Sequence, residues 1–132
     1  MNRRRPIPRS AYWSLDEAIR FWLNAEHVLD NHGFLCGIYG SALHGRGRDL
    51  DLLIIPKRIN TSIEFAADAL AFAADGKLSE PYDGLMGTRS YILELRNGKF
   101  VDAQFYKSKD PRDAEDMYVN FHHDSPKTHP KK

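Results

Sequence analysis

Two aspartates, Asp49 and Asp51, stand one residue apart at the head of an otherwise apolar run, "DLDLLIIP" over residues 49–56. Side chains alternate along a strand, so a strand here turns both carboxylates to one face and Leu50, Leu52 and Ile54 to the other. Two like charges in a half-dry place repel each other and lose solvation, and something must offset that. An exposed strand start would do so without any chemistry. A hard divalent cation, Mg²⁺ or Mn²⁺, would do so with it, because such ions take oxygen ligands and share the rest of their shell with water and substrate phosphates.

The residues upstream favour the cation. Seven residues separate Ser41 from Asp49 in "YGSALHGRGRD". Gly40 closes an apolar strand and lets a backbone approach a ligand closely. A short helix starting at Ser41 would offer amide groups and a hydroxyl to phosphate oxygens. Gly45 and Gly47 keep the loop tight, and His44, Arg46 and Arg48 bring positive charge to the same spot. A phosphate cradle of Gly40, Ser41, His44, Arg46 and Arg48 joined by one short loop to a carboxylate clamp suits a nucleoside triphosphate held through its cation. The glycines do not form a Walker loop, because no Gly-Lys-Ser/Thr follows them.

The elements that must position these residues are marked in the chain. "SLDEAIRFWLNAEHVLDNHG" is expected to be a helix with a Ser14–Glu17 capping box and a stop at Gly33. Leu15, Ala18, Ile19, Trp22, Ala25 and Leu29 give it one apolar face, where Phe21 and Trp13 also find packing roles. "FLCGIYG" and "DLDLLIIP" are strands, apolar on both faces and expected to be central. "TSIEFAADALAFAADG" is a second helix, with Thr61 and Glu64 as its box and Gly76 as its stop. Residues 77–89 read as a loop. "SYILELRNGKFVDAQFY" is a hairpin turning at Asn97-Gly98. A short helix is expected around residues 111–121. This order implies an α+β domain with a mixed or antiparallel sheet of about four to five strands flanked by helices. It divides the chain into a basic irregular arm, 1–13, a single domain, 14–121, and a polar tail, 122–132.

The motif "YGSALHGRGRDLDLL", followed by "FVDAQFY", resembles the DNA polymerase β-type nucleotidyltransferase superfamily over residues 34–106. That family has Gly-Ser, a spacer, Asp-x-Asp among apolar residues, and a third acid on a later strand. The spacer here lies toward the short end of what that family shows. The resemblance implies a nucleotidyltransferase-like fold and transfer of a nucleoside monophosphate from an NTP to an acceptor, with release of pyrophosphate. Asp49, Asp51 and Asp102 would hold the metal, two ions by the usual logic. Asp102 would also help activate the acceptor, and Ser41 would contact the triphosphate. The resemblance is to a minimal, single-domain member. The acceptor, whether protein, RNA or small molecule, stays open, and a protein partner or a second copy is expected to complete its pocket. The competing reading is a non-catalytic nucleotide- or partner-binding module on the same fold, antitoxin-like or associated with nucleic acid.

Glu94 competes with Asp102 for the third position. A two-residue loop at Asn97-Gly98 sets Leu93 opposite Asp102 and Glu94 opposite Val101. Asp102 then shares an apolar face with Leu93, Leu95 and Phe100, whereas Glu94 joins Arg96 and Lys99. An acid among apolar side chains needs a special partner, so Asp102 is the expected ligand and Glu94 a surface ion-pairing residue.

Composition bounds the rest. A length of 132 residues fits one domain with a modest core. Lys and Arg number 19 against 18 Asp and Glu, so overall charge does not mark a nucleic-acid binder. Both ends are basic, and "RRRPIPR" could make a weak contact with nucleic-acid phosphates, although such an arm is more often simply solvated. The single cysteine, Cys36, rules out an internal disulfide and suits a reducing compartment, so a cytoplasmic location is expected. Asp16 and Glu17 follow the arginines too early for a transit peptide. No apolar run has the length of a membrane span. His122, His123 and Asp124 lack the further ligands that a phosphohydrolase or zinc site requires.

Overall fold

The computed structural model describes residues 12–44, 47–84 and 87–107, without the side chains of Ser41 and His44. The expected helix at 111–121, the polar tail with His122, His123 and Asp124, and all but the last two residues of the basic arm lie outside them.

The first helix, α1 (Leu15–Asn31), starts where its punctuation places it: the Ser14 side chain accepts from the Glu17 amide, and the Glu17 carboxylate accepts from the Ser14 amide in return. Ser14→Ala removes half of this box and is expected to cost about 1 kcal/mol, measured by urea denaturation. His32 is the C-cap, and Gly33, with φ of +87°, is the left-handed residue that turns the chain into β1 (Phe34–Tyr39). A four-residue 3₁₀ turn, Ser41–His44, follows. The short helix expected to start at Ser41 is thus a single 3₁₀ turn. Then come β2 (Asp49–Pro56) and α2 (Ile63–Ala74). The α2 cap is Ser62, which accepts from the Phe65 amide, and not Thr61; its left-handed stop is Asp75, at φ of 55°, and not Gly76.

Residues 77–89 carry more structure than a loop. Two short strands, β3 (Lys77–Leu78) and β4 (Tyr82–Asp83), pair with β5 (Thr88–Glu94), which runs antiparallel to β6 (Phe100–Tyr106). The sheet is therefore mixed and six-stranded, in the order β1-β2-β6-β5-β3 with β4 also on β5. β2 and β6 run parallel in its centre, and all the other pairs are antiparallel. The expectation that both strands around the Gly-Ser turn are central holds for β2 alone, because β1 forms an edge.

Both helices pack on one face of this sheet. Ala18, Ala25 and Leu29 of α1 and Ala66, Ala67 and Leu70 of α2 close over Phe34, Leu50, Leu52, Ile54, Val101, Ala103 and Phe105, all buried. The small alanines let the helices approach, and Phe34 and Phe105 meet edge to face, centroids 5.4 Å apart. The residues between these strand positions point to the opposite, open face, and there the sequence puts its acids.

The hairpin corrects one expectation in register. Glu94 faces Phe100, Leu93 faces Val101 and Ile92 faces Asp102. The loop has three residues and not two: the Leu95 amide donates to the Lys99 carbonyl at 2.9 Å, the Gly98 amide to the Leu95 carbonyl at 2.9 Å, and Gly98 takes a φ of +86°. This is a turn followed by a left-handed bulge residue, which a glycine in second place serves equally well. The reason lies in β6 itself, where Val101, Ala103 and Phe105 alternate with Asp102, Gln104 and Tyr106. The two-residue loop would set Asp102 against Leu93 on the helix-covered face. Asp102 therefore does not share a face with Leu93 and Leu95. Lys99 does not accompany Glu94 either; it is buried beneath α1, with its Nζ 3.4 Å from Glu17.

Candidate active site

The parallel register of β2 and β6 sets Asp51 directly beside Asp102, and Asp49 beside Phe100. All three carboxylates thus leave the open face of the sheet, from two adjacent central strands. Asp49 is exposed, while Asp51 and Asp102 are half-buried. Burial pushes the Asp51 carboxyl up to about 6, with Asp102 and then Asp49 adding repulsion. Asp49, although its residue surface is exposed, is raised by partial desolvation of its carboxyl and then by Asp102, and Arg48 partly offsets this. The sequence predicted a crowding of like charge, and the fold produces it.

Gly40 explains how the edge strand closes over this spot. It sits at φ of +98°, and a Cβ there would run into the Asp51 carboxylate. Tyr39, just before it, is the register partner of Asp51. The glycine therefore serves the approach of the turn to Asp51. Arg48 lies with its guanidinium carbon 5.5 Å from the Phe100 ring centroid, on the strand position beside Asp49. Arg46 and the side chains of Ser41 and His44 lie outside the described residues. Of the expected phosphate cradle, then, the structure brings Gly40 and Arg48 to the carboxylates. Glu94 points to the same open face as Asp102 but lies at the far end of β5, exposed, opposite Phe100.

Three polar residues beside Asp102 were not among the expected site residues. The Tyr82 hydroxyl donates to Asp102 Oδ1 at 2.8 Å, Gln104 Nε2 donates to Oδ2 at 3.2 Å, and the Tyr39 hydroxyl donates to Gln104 Oε1 at 2.7 Å. Burial, then the Asp102 hydrogen bond and charge, push the Tyr82 phenol up to about 12, and burial also raises Tyr39. Both phenols therefore remain donors at neutral pH. Gln104 was within reach of sequence reasoning, since it lies two residues along a strand from Asp102. Tyr82 was not, because it comes from a segment with no strand signal.

Three carboxylates share one face, and Asp51 is raised first by burial and then by repulsion from Asp102 and Asp49; carboxylate oxygens are the donor type that hard divalent cations take. Among the described residues, no three His, Cys, Asp or Glu side chains gather closely enough to enclose an ion. An apolar cavity of about 300 Å³ lies elsewhere, between Phe21 and Val28 of α1, Leu70 and Ala74 of α2, and Leu95. It is on the helix side of the sheet and has no part in this chemistry. No helix among the described residues is long and apolar enough to cross a membrane.

Fold and site together define an α+β domain, a mixed six-stranded sheet with two helices on one face and an aspartate cluster on the other. No protein-family profile and no curated protein matches the chain. Among solved structures it is similar to a cytoplasmic RNA terminal U-transferase, with a TM-score of 0.49 and 14% identity over 83% of this chain and 34% of that one. It is also similar to terminal uridylyl transferase 4 from Trypanosoma brucei with bound UPU, with a TM-score of 0.45 and 14% identity over 90% of this chain and 46% of that one. The chain spans less than half the length of either structure.

Proposed function

We propose that this chain is a metal-dependent nucleotidyltransferase that moves a nucleoside monophosphate from an NTP to an acceptor hydroxyl. The observation that carries this reading is the adjacency of Asp51 and Asp102 on parallel central strands, with Asp49 on the same face. Asp49, Asp51 and Asp102 are the residues that would hold Mg²⁺ or Mn²⁺. When bound, the cation supplies Lewis acidity to the attacking oxygen and neutralises charge on the leaving pyrophosphate.

The chain's own residues do the rest by position. The acceptor oxygen forms a bond to the α-phosphorus as the bond from that phosphorus to the bridging oxygen breaks. Pyrophosphate leaves with the bridging oxygen, and the acceptor proton departs to solvent past Asp102. Asp102, held at both oxygens, faces the acceptor side. Arg48, at the head of β2, is placed to meet phosphate charge. Gly40 keeps the turn low over Asp51, so that the triphosphate can approach. In such a transfer the protein mainly positions groups and balances charge, and loss of one carboxylate is severe.

The test has two parts. Thermal shifts with ATP, GTP, CTP and UTP, with and without Mg²⁺, are expected to show stabilisation that requires the metal. α-Labelled NTP added with the protein to a cell lysate is expected to label one class of acceptor, protein, RNA or small molecule, and Asp102→Asn is expected to abolish that labelling while nucleotide stabilisation persists. Stabilisation without any labelling would instead support a nucleotide-binding module. The absence of both effects would overturn the proposal.

A further inference from the structure

We propose that Tyr39 and Gln104 form a relay that fixes the orientation of Asp102, making an exposed tyrosine on the edge strand a positioning residue for the transfer. The inference rests on the nucleotidyltransferase reading for its catalytic consequence, and on geometry alone for the relay itself.

Tyr39 is 42% exposed and lies 65 positions from Gln104 in the chain. Its register partner is Asp51, whereas that of Gln104 is Leu53. To place its hydroxyl 2.7 Å from Gln104 Oε1, the Tyr39 side chain must cross the full width of β2 on the open face. A phenol on a solvated strand edge has no need of this path, because water would satisfy its hydroxyl. The path brings the ring across the strand that carries Asp51 and ends on the amide that holds Asp102.

The direction of each bond follows from what each atom can do. A carboxylate oxygen accepts, so Asp102 Oδ2 requires the amino side of the Gln104 amide. That leaves Oε1 pointing to Tyr39, whose hydroxyl donates to it. If the tyrosine donor is removed, the amide loses the partner that disfavours its flipped form. In that form Oε1 would confront Oδ2, two acceptors in contact, and Asp102 would turn away. Tyr82 grips the other oxygen from β4, 2.8 Å away, so the two grips together determine which lone pairs of Asp102 remain for cation and acceptor. A lone hydrogen bond to a half-buried carboxylate would leave its plane free to rotate, and two from opposite sides do not.

The test uses the full chain, labelled with ¹⁵N, and two readouts. The Gln104 side-chain amide resonances are expected to move, and to exchange faster with solvent, in both Tyr39→Phe and Asp102→Asn. In the labelling reaction, with whichever of the four NTPs the wild type uses, Tyr39→Phe is expected to lower kcat about tenfold through misplacement of Asp102. KM for the NTP should stay within about twofold and the melting temperature should be unchanged, which separates positioning from binding and from folding. Tyr39→Phe combined with Gln104→Leu should be no worse than Gln104→Leu alone, since both act through one amide. Gln104 resonances indifferent to Tyr39→Phe would overturn the relay. So would additive losses in the double variant. A wild type without turnover would overturn the transfer reading, and the Gln104 resonances would then still decide whether the relay exists.

Discussion

Asp51→Asn is expected to abolish nucleotidyl transfer and, at the same time, to raise the melting temperature. Loss of activity follows from the place of Asp51 at the centre of the cluster, beside Asp102 and in line with Asp49. The gain in stability follows from the sign of its shift. The folded carboxyl is raised from 3.8 to about 6, mainly by burial and then by its two acidic neighbours. Between these values the folded state holds more protons than the unfolded one, so stability falls as pH rises from about 4 to about 6, and the full penalty applies above that. Such a shift caps the penalty at ~3 kcal/mol, and solvent screening at a half-buried side chain reduces it to ~1 kcal/mol. Asparagine keeps the shape and removes the charge. The variant should melt about 4 °C higher at pH 7 and show a smaller fall in stability between pH 4 and 6, the remainder belonging to Asp49, which is also raised. Melting curves of both proteins from pH 4 to 8, with the labelling assay alongside, test this. A variant that is less stable at pH 7 would mean that Asp51 is held by a compensating partner, and one with full activity would remove the carboxylate cluster from the chemistry.

Gly40→Val is expected to be the most damaging single change on the open face. Valine must take a φ near +98°, which costs a β-branched residue about 1–2 kcal/mol, and its Cβ must then displace the Asp51 carboxylate. Strain and displacement together should cost about 3 kcal/mol and eliminate transfer. Gly98→Val is the control. Gly98 has a φ of +86°, but nothing stands within 4 Å of a Cβ built there, so it meets strain without collision. Its loss should be confined to stability, with activity retained per folded molecule. Chemical denaturation and the labelling assay on both variants separate the two causes. Equal losses of activity in the two would mean that the turn, and not contact with Asp51, explains the glycine.

The open face was only partly legible. Tyr82 came from residues 77–89, where Pro81, Gly84 and Gly87 hide two strands of two residues each; strands that short have no alternation to read. Tyr39 was visible as a residue but not as a donor to Gln104, because a contact across β2 between residues 65 apart depends on how three strands are laid side by side. The caps of α2 moved by one residue for a local reason. Ser62 and Thr61 are both competent caps, and Ser62 is the one whose hydroxyl reaches the Phe65 amide.

The sequence by itself determined the side on which each acid stands within its own strand. Period-two alternation is a property of one strand's backbone, and "DLDLL" and "VDAQFY" both obey it, so Asp49 with Asp51, and Asp102 with Gln104, face away from the apolar residues whatever the strands pair with. The tertiary structure alone decided that these two faces are one face and that Asp102 lies level with Asp51. No local rule joins β2 to β6. They are parallel neighbours, with a helix and three other strands between them in the chain. Their register is set by burying Leu50, Leu52 and Ile54 level with Val101, Ala103 and Phe105 beneath α1 and α2. A shift of one residue would turn β6 over and drive Asp102 into that core. The hydrophobic face thus aligns the strands, and the carboxylates on the opposite face come into register as a consequence.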